Sequence, residues 1–113
     1  MRTVKRAKLL RLHFSEGHRY QGKPLYEAIV NRAKELHIAG ATVFRGLEGY
    51  GETGEIHRHH LTGKDQPIIV TIVDTEENLR RLIPEVEAMM DTGMIALSDV
   101  DCLRVEKPPA VAT

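Results

Sequence analysis

From Lys8 to Phe14 ("KLLRLHF") Leu10, Leu12 and Phe14 fall on one side of an extended chain, and Leu9, Arg11 and His13 on the other. A period of two predicts a strand with one buried and one mixed face. Beyond the loop "SEGHRYQGK" the period changes. Leu25, Ala28, Ile29, Arg32, Ala33 and Leu36 recur at helical spacing, an apolar stripe broken only by the arginine. The helix is expected to begin at Pro24, whose missing N–H costs nothing in a first turn, and to close with Gly40 as its C-terminal cap. "ATVFRGL" (41–47) and "PIIVTIV" (67–73) read as the second and third strands, the latter apolar on both sides. Asp74, with Glu77 three residues on, resembles a capping box for a second helix with a buried stripe of Leu79, Leu82, Ile83, Val86, Met89 and Met90. Pro84 lies inside that stripe and is expected to kink the helix or remove a hydrogen bond. Gly93 is expected to end it. "MIALSDVDCLRVE" then supplies a last strand or hairpin, with Leu103 and Val105 as its paired residues.

The order β-α-β-β-α-β predicts an α+β fold of the ferredoxin-like kind, a four-stranded antiparallel sheet with two helices on one face. One domain is expected over 1–113, with its core at about 7–106, loose termini at 1–5 and 107–113, and a long loop at 47–66. Two helices cover one face only. The third strand sets Ile69 and Val73 opposite Ile68, Val70 and Ile72, so the second face is too apolar for water and needs a cover. A second copy of the chain meets that need most simply.

Composition narrows the function. Sixteen Lys and Arg balance sixteen Asp and Glu, so no long-range attraction draws in nucleic acid or anionic lipid, and nucleic acid is not expected as a partner. A lone cysteine, Cys102, cannot form an internal disulfide, which suits a reducing cytoplasm. "MRTVKRAK" leads into a mixed strand instead of an apolar signal core, and no apolar run reaches the roughly 18 residues of a membrane span. The expectation is a soluble, unprocessed, cytoplasmic protein with no membrane insertion.

The candidate chemistry is sparse. "GLEGYG" places Gly46, Gly49 and Gly51 at a strand end, but residues 52–66 beyond it carry no helical stripe, so a dinucleotide fingerprint is not supported. Those glycines read either as a tight turn leaving the strand or as bare N–H groups near an anion, with Arg45 as a charged clamp. Tyr50, between two glycines, could stack on a ring. His57 and His59 alternate and His60 points away, so these three are the candidate metal ligands; two imidazoles on one face need a third or fourth ligand. His18, Arg19 and Lys23 gather before the first helix, either as an ordinary basic turn or as an anion site. An anion-handling enzyme on that loop, in the manner of the ferredoxin-like acylphosphatases, lacks both the glycine-rich cradle and a placed asparagine, since Asn31 and Asn78 fall on helices. No catalytic constellation is legible, so no catalytic residue is assigned and no enzyme is expected.

"RYQGKPLYEAIVNRAKELHIAGATVFRGLEGYG" and "PIIVTIVDTEENLRRLIPEVEAMM", above all the blocks "GKPLYEAIV" (22–30) and "GATVFRGLEGYG" (40–51), resemble the PII-like family of small prokaryotic proteins from about Lys8 to Val105. The resemblance implies a ferredoxin-like subunit of a homotrimer with its sheets facing inward. It implies a non-enzymatic signalling protein that requires no cofactor, takes an adenine nucleotide in clefts between subunits, and acts on a membrane transporter or enzyme through the loop 47–66. By position the ligand contacts would be Arg45, Gly46, Gly49, Tyr50 and Gly51, with Lys23 and with Arg104 from a neighbouring subunit. "VDTEENL" is acidic and glycine-free, so Asp74, Glu76 and Glu77 would repel a triphosphate, and an AMP-like ligand is expected over ATP. The alternatives are a metal-binding trimer like the divalent-cation-tolerance proteins, using His57, His59 or His60, and a small anion-handling enzyme at His18, Arg19 and Lys23.

Overall fold

The computed structural model describes residues 4–50, 56–58 and 66–107, with the backbone alone at Val4, Tyr50 and 56–58. Its elements are β1 (Val4–Ser15), β2 (Arg19–Tyr20), β3 (Lys23–Pro24), α1 (Leu25–Glu35), β4 (Thr42–Arg45), β5 (Glu48–Tyr50), β6 (Ile56–Arg58), β7 (Pro67–Asp74), α2 (Glu76–Met89) and β8 (Met94–Leu103). Four of the strands form an antiparallel sheet in the order β4-β7-β1-β8, the ferredoxin-like arrangement. Each half of the chain crosses over by a helix to a strand two places away.

The core lies where the two periods meet. Leu10, Leu12 and Phe14 of β1 and Ile68, Val70 and Ile72 of β7 face Leu25, Ile29 and Ala33 of α1 and Leu79, Leu82 and Val86 of α2, all buried. Each large aliphatic side chain so placed contributes roughly 1.5–3 kcal/mol. The other sheet face has no helix. Through the register it collects Ala7, Leu9, Phe44, Ile69, Val73, Met94, Ala96 and Val100 around Arg11, His13 and Thr71. Phe44 is 52% exposed, Val73 42% and Met94 61%, so an apolar surface stands open to water, as the sequence predicts.

The helix ends depart from expectation. Gly40 does not cap α1. His37 does, at φ 61, with His37 N–H donating to Lys34 O and Ile38 N–H to Ala33 O. These two bonds make a Schellman motif, and buried Ile38 against Ala33 is its apolar clasp. The cap of α2 sits one residue later than Asp74: Thr75 accepts from Asn78 N–H at 3.1 Å. Asp74 works across the fold instead. Its carboxylate accepts from Ala39 N–H (2.9 Å), Thr75 N–H (2.7 Å) and Asn78 Nδ2 (2.9 Å), tying the end of α1 to the start of α2. Pro84 lies within α2 at an exposed position, so the carbonyl that loses its donor is on the solvent side. The helix stops at Met89, before Gly93. Gly93 takes φ 128 in the turn to β8, where a side chain would run into the His13 carbonyl. Leu103 pairs with Val4 as the last residue of β8, and Val105 lies beyond the strand.

Candidate functional site

Arg45 is the last residue of β4. The register Arg45–Ile68–Phe14 puts it on the helix side of the sheet, at the edge. Glu16, just past the end of β1, is fixed by its own N–H donating to Gln66 O at 2.8 Å. Its carboxylate takes both Arg45 Nε (2.8 Å) and Arg45 Nη2, a two-pronged ion pair between residues 29 apart in sequence. Hydrogen bonding to Glu16, then its charge, raises the Arg45 guanidinium above its ordinary pKa.

The chain turns sharply at the next residue. Gly46 N–H donates to Pro67 O at 2.7 Å, and a Cβ on Gly46 would lie 2.6 Å from Pro67 Cγ. This close approach requires glycine. At Gly49 a Cβ would meet Pro67 only at ordinary contact distance, 3.5 Å. Gly49 pairs with His57 and Tyr50 with Ile56, so the foot of the 47–66 segment is a two-stranded ribbon, β5 with β6. Gly51, His59 and His60 lie outside the described residues, as do the side chains of Tyr50 and His57. Among the described residues no three His, Cys, Asp or Glu side chains gather as a metal cluster.

The first loop is a second ribbon. β2 and β3 pair through Gln21 (φ 49) and Gly22 (φ 81), positive at both turn positions as a type I′ hairpin demands. Arg19 donates to Gly22 O at 3.0 Å, closing its own turn, and His18 stacks on Phe14 with ring centroids 6.2 Å apart. Two of the three groups considered for an anion cradle here are thus engaged locally. Lys23 is exposed on β3, at the same end of the sheet as Arg45.

Arg104 is elsewhere. It follows β8 at the Val4 end, bonded to Glu106 at 3.3 Å, whereas Arg45 aligns with the Phe14 end of β1 on the opposite edge. At strand rise the two arginines of one subunit stand roughly 30–35 Å apart along the sheet. Around Arg104 lies a groove of about 1070 Å³ that includes Lys5, Arg6, Asp74, Thr75 and Lys107. Asp74, Glu76 and Glu77 belong to this end, with Glu76 beside Lys8 at 3.6 Å. Within one subunit the acidic turn is therefore about 20 Å from Arg45 along β7. Glu16 is the acid in contact with Arg45, and sequence reasoning missed it because a pairing across 29 residues leaves no local pattern.

Comparison with known proteins gives the lineage. The family model DUF190, described as uncharacterized ACR, matches residues 7–102. The UPF0166 protein of Aquifex aeolicus (strain VF5) is 43% identical over 105 residues, covering 91% of this chain and 98% of that one. The structure of CPII from Thiomonas intermedia K12, a nitrogen regulatory PII-like protein bound to ADP, AMP and bicarbonate, superposes with a TM-score of 0.66 at 21% identity, over 90% of this chain and 92% of that one. The divalent ion tolerance protein CutA1 from Ehrlichia chaffeensis shares the fold more distantly, with a TM-score of 0.56 at 18% identity, over 88% and 84%. No helix among the described residues is long and apolar enough to cross a membrane. The chain belongs to the DUF190 family and carries the PII-like, ferredoxin-like fold.

Proposed function

We propose that this protein is a non-enzymatic PII-like regulator. It is a cytoplasmic homotrimer that binds a small adenine nucleotide between subunits and acts on a transporter or enzyme through the 47–66 segment. The observation that carries this reading is the open apolar sheet face, flanked at diagonally opposite corners by Arg45 and Arg104. One subunit cannot bring those corners together. Packing the faces around a threefold axis covers Phe44, Ile69 and Val73 and lets the Arg45 corner of one subunit meet the Arg104 groove of the next. Gly46, Gly49, Tyr50 and Gly51 then line the ligand beside Arg45, with Lys23 at the same end. Arg104 brings Asp74 with it in the same groove, which favours AMP over ATP. ADP and AMP are bound by CPII, a protein of the same fold.

The ribbon at the foot of the segment couples the site to a partner, because β5 leaves β4 directly through Gly46. A ligand seated against Gly46 and Gly49 biases the ribbon that leads into the arm, a two-state switch of the ordinary kind. Calorimetric titration with AMP, ADP and ATP, alongside sedimentation, tests the proposal. A trimer that binds AMP is expected, and a monomer that binds none of the three refutes it.

A further inference from the structure

We propose that Glu16 sets the charge preference of the Arg45 site, favouring a singly phosphorylated ligand over more highly charged ones. The inference rests on the reading of Arg45 as the anion contact. A guanidinium carries five N–H donors, and Glu16 takes two of them, the Nε proton and one on Nη2. The outer fork, Nη1 with the other Nη2 proton, keeps the geometry that grips two oxygens of one phosphate group.

The two partners differ in exposure. Glu16 is 20% exposed at its side chain and Arg45 48%, so the carboxylate is the inner, fixed member and the arginine the presented one. Its backbone bond to Gln66 holds Glu16 in place. A phosphate arriving at the fork therefore finds a directed pair of donors whose positive charge is already cancelled. It gains hydrogen bonds without a net Coulomb pull, and every further negative charge on the ligand meets the carboxylate of Glu16. Asp74, Glu76 and Glu77 of the same subunit cannot act in this way on Arg45, since about 20 Å exceeds the screening length of about 8 Å at physiological salt.

Calorimetric titration of the assembled protein with AMP and with ATP, at one ionic strength, tests this on wild type, Glu16→Gln, Glu16→Asp, Arg45→Ala and the double variant Glu16→Gln/Arg45→Ala. Glu16→Gln is expected to raise the ratio of ATP to AMP affinity about fivefold, the effect of one charge near contact distance in water. Glu16→Asp retains the charge and is expected to retain the wild-type ratio. Since the Glu16 carboxylate repels the extra charges with or without Arg45, the double variant is expected to exceed Arg45→Ala in that ratio by a similar factor. An unchanged ratio in Glu16→Gln, or an equal loss of both affinities, overturns the inference while leaving the nucleotide site intact. If Arg45→Ala binds like wild type, or no protein binds either nucleotide, the functional reading itself fails and the role of Glu16 fails with it.

Discussion

Asp74 shows how one side chain can hold two elements together. Burial alone would raise its carboxyl, but hydrogen bonds from Ala39, Asn78 and Thr75, with the nearby Arg81 charge, outweigh it and hold the group below the ordinary 3.8. A carboxylate with a depressed folded pKa contributes its stability above the unfolded value and loses it as the pH falls through the folded one. Asp74→Asn is therefore expected to lower unfolding free energy at pH 7 by about 1.5–3 kcal/mol, the worth of hydrogen bonds to a charged acceptor. Urea titrations should show the gap from wild type closing as the pH falls from the ordinary 3.8 through the depressed folded value. Arg45 belongs to the proposed ligand site instead. Arg45→Ala should weaken AMP binding by about 1.5–3 kcal/mol, read by calorimetry, with little change in urea midpoint because its ion pair with Glu16 is largely at the surface.

At the scale of elements, the strands and helices were legible because burial imposes a period and the sequence keeps it: Leu10, Leu12 and Phe14 by twos, Leu79, Leu82 and Val86 by threes and fours. The ends were less so. Gly40 suggested a cap by residue type, yet the chain turns left-handed at His37, where Ile38 can reach the core. Burial of Ile38 decided the place against the glycine preference. Asp74 and Thr75 are both good caps, and only the contact between Asp74 and Ala39 N–H settles which serves the helix. The ribbons β2–β3 and β5–β6 are two or three residues per strand, too short for alternation to register. The His37 finding carries a test: His37→Gly relieves the left-handed strain, partly offset by a more flexible unfolded chain, and should raise stability by up to about 1 kcal/mol in urea denaturation. Gly46→Ala should act oppositely, forcing β4 and Pro67 apart at the root of the arm.

At the scale of the whole molecule, the proposed site is legible only in halves. "GATVFRG" and "CLRVE" each carry an arginine at a strand end, but which corner of the sheet each occupies depends on strand order, and strand order puts them far apart. The open face links the two halves physically. Phe44, Ile69 and Val73, on two adjacent strands of one surface, have no core to enter within their own subunit, and each buried against a copy contributes at the usual rate of about 25 cal/mol per Å². A charge placed among them would cost several kcal/mol on association and nothing comparable in the isolated subunit, where the face meets water. Ile69→Glu is thus expected to yield folded monomer, with far-UV dichroism unchanged and sedimentation reporting one-third of the mass of the proposed trimer. Lys34→Glu, on the exposed side of α1, should leave the mass as it was. In the proposed trimer the nucleotide needs corners from two subunits, so the Ile69→Glu monomer should also lose AMP affinity although Arg45, Gly46 and Arg104 are all intact. A monomeric Ile69→Glu protein that still binds AMP like wild type would place the site within a single subunit, and the distance between Arg45 and Arg104 would then exclude one of them from it.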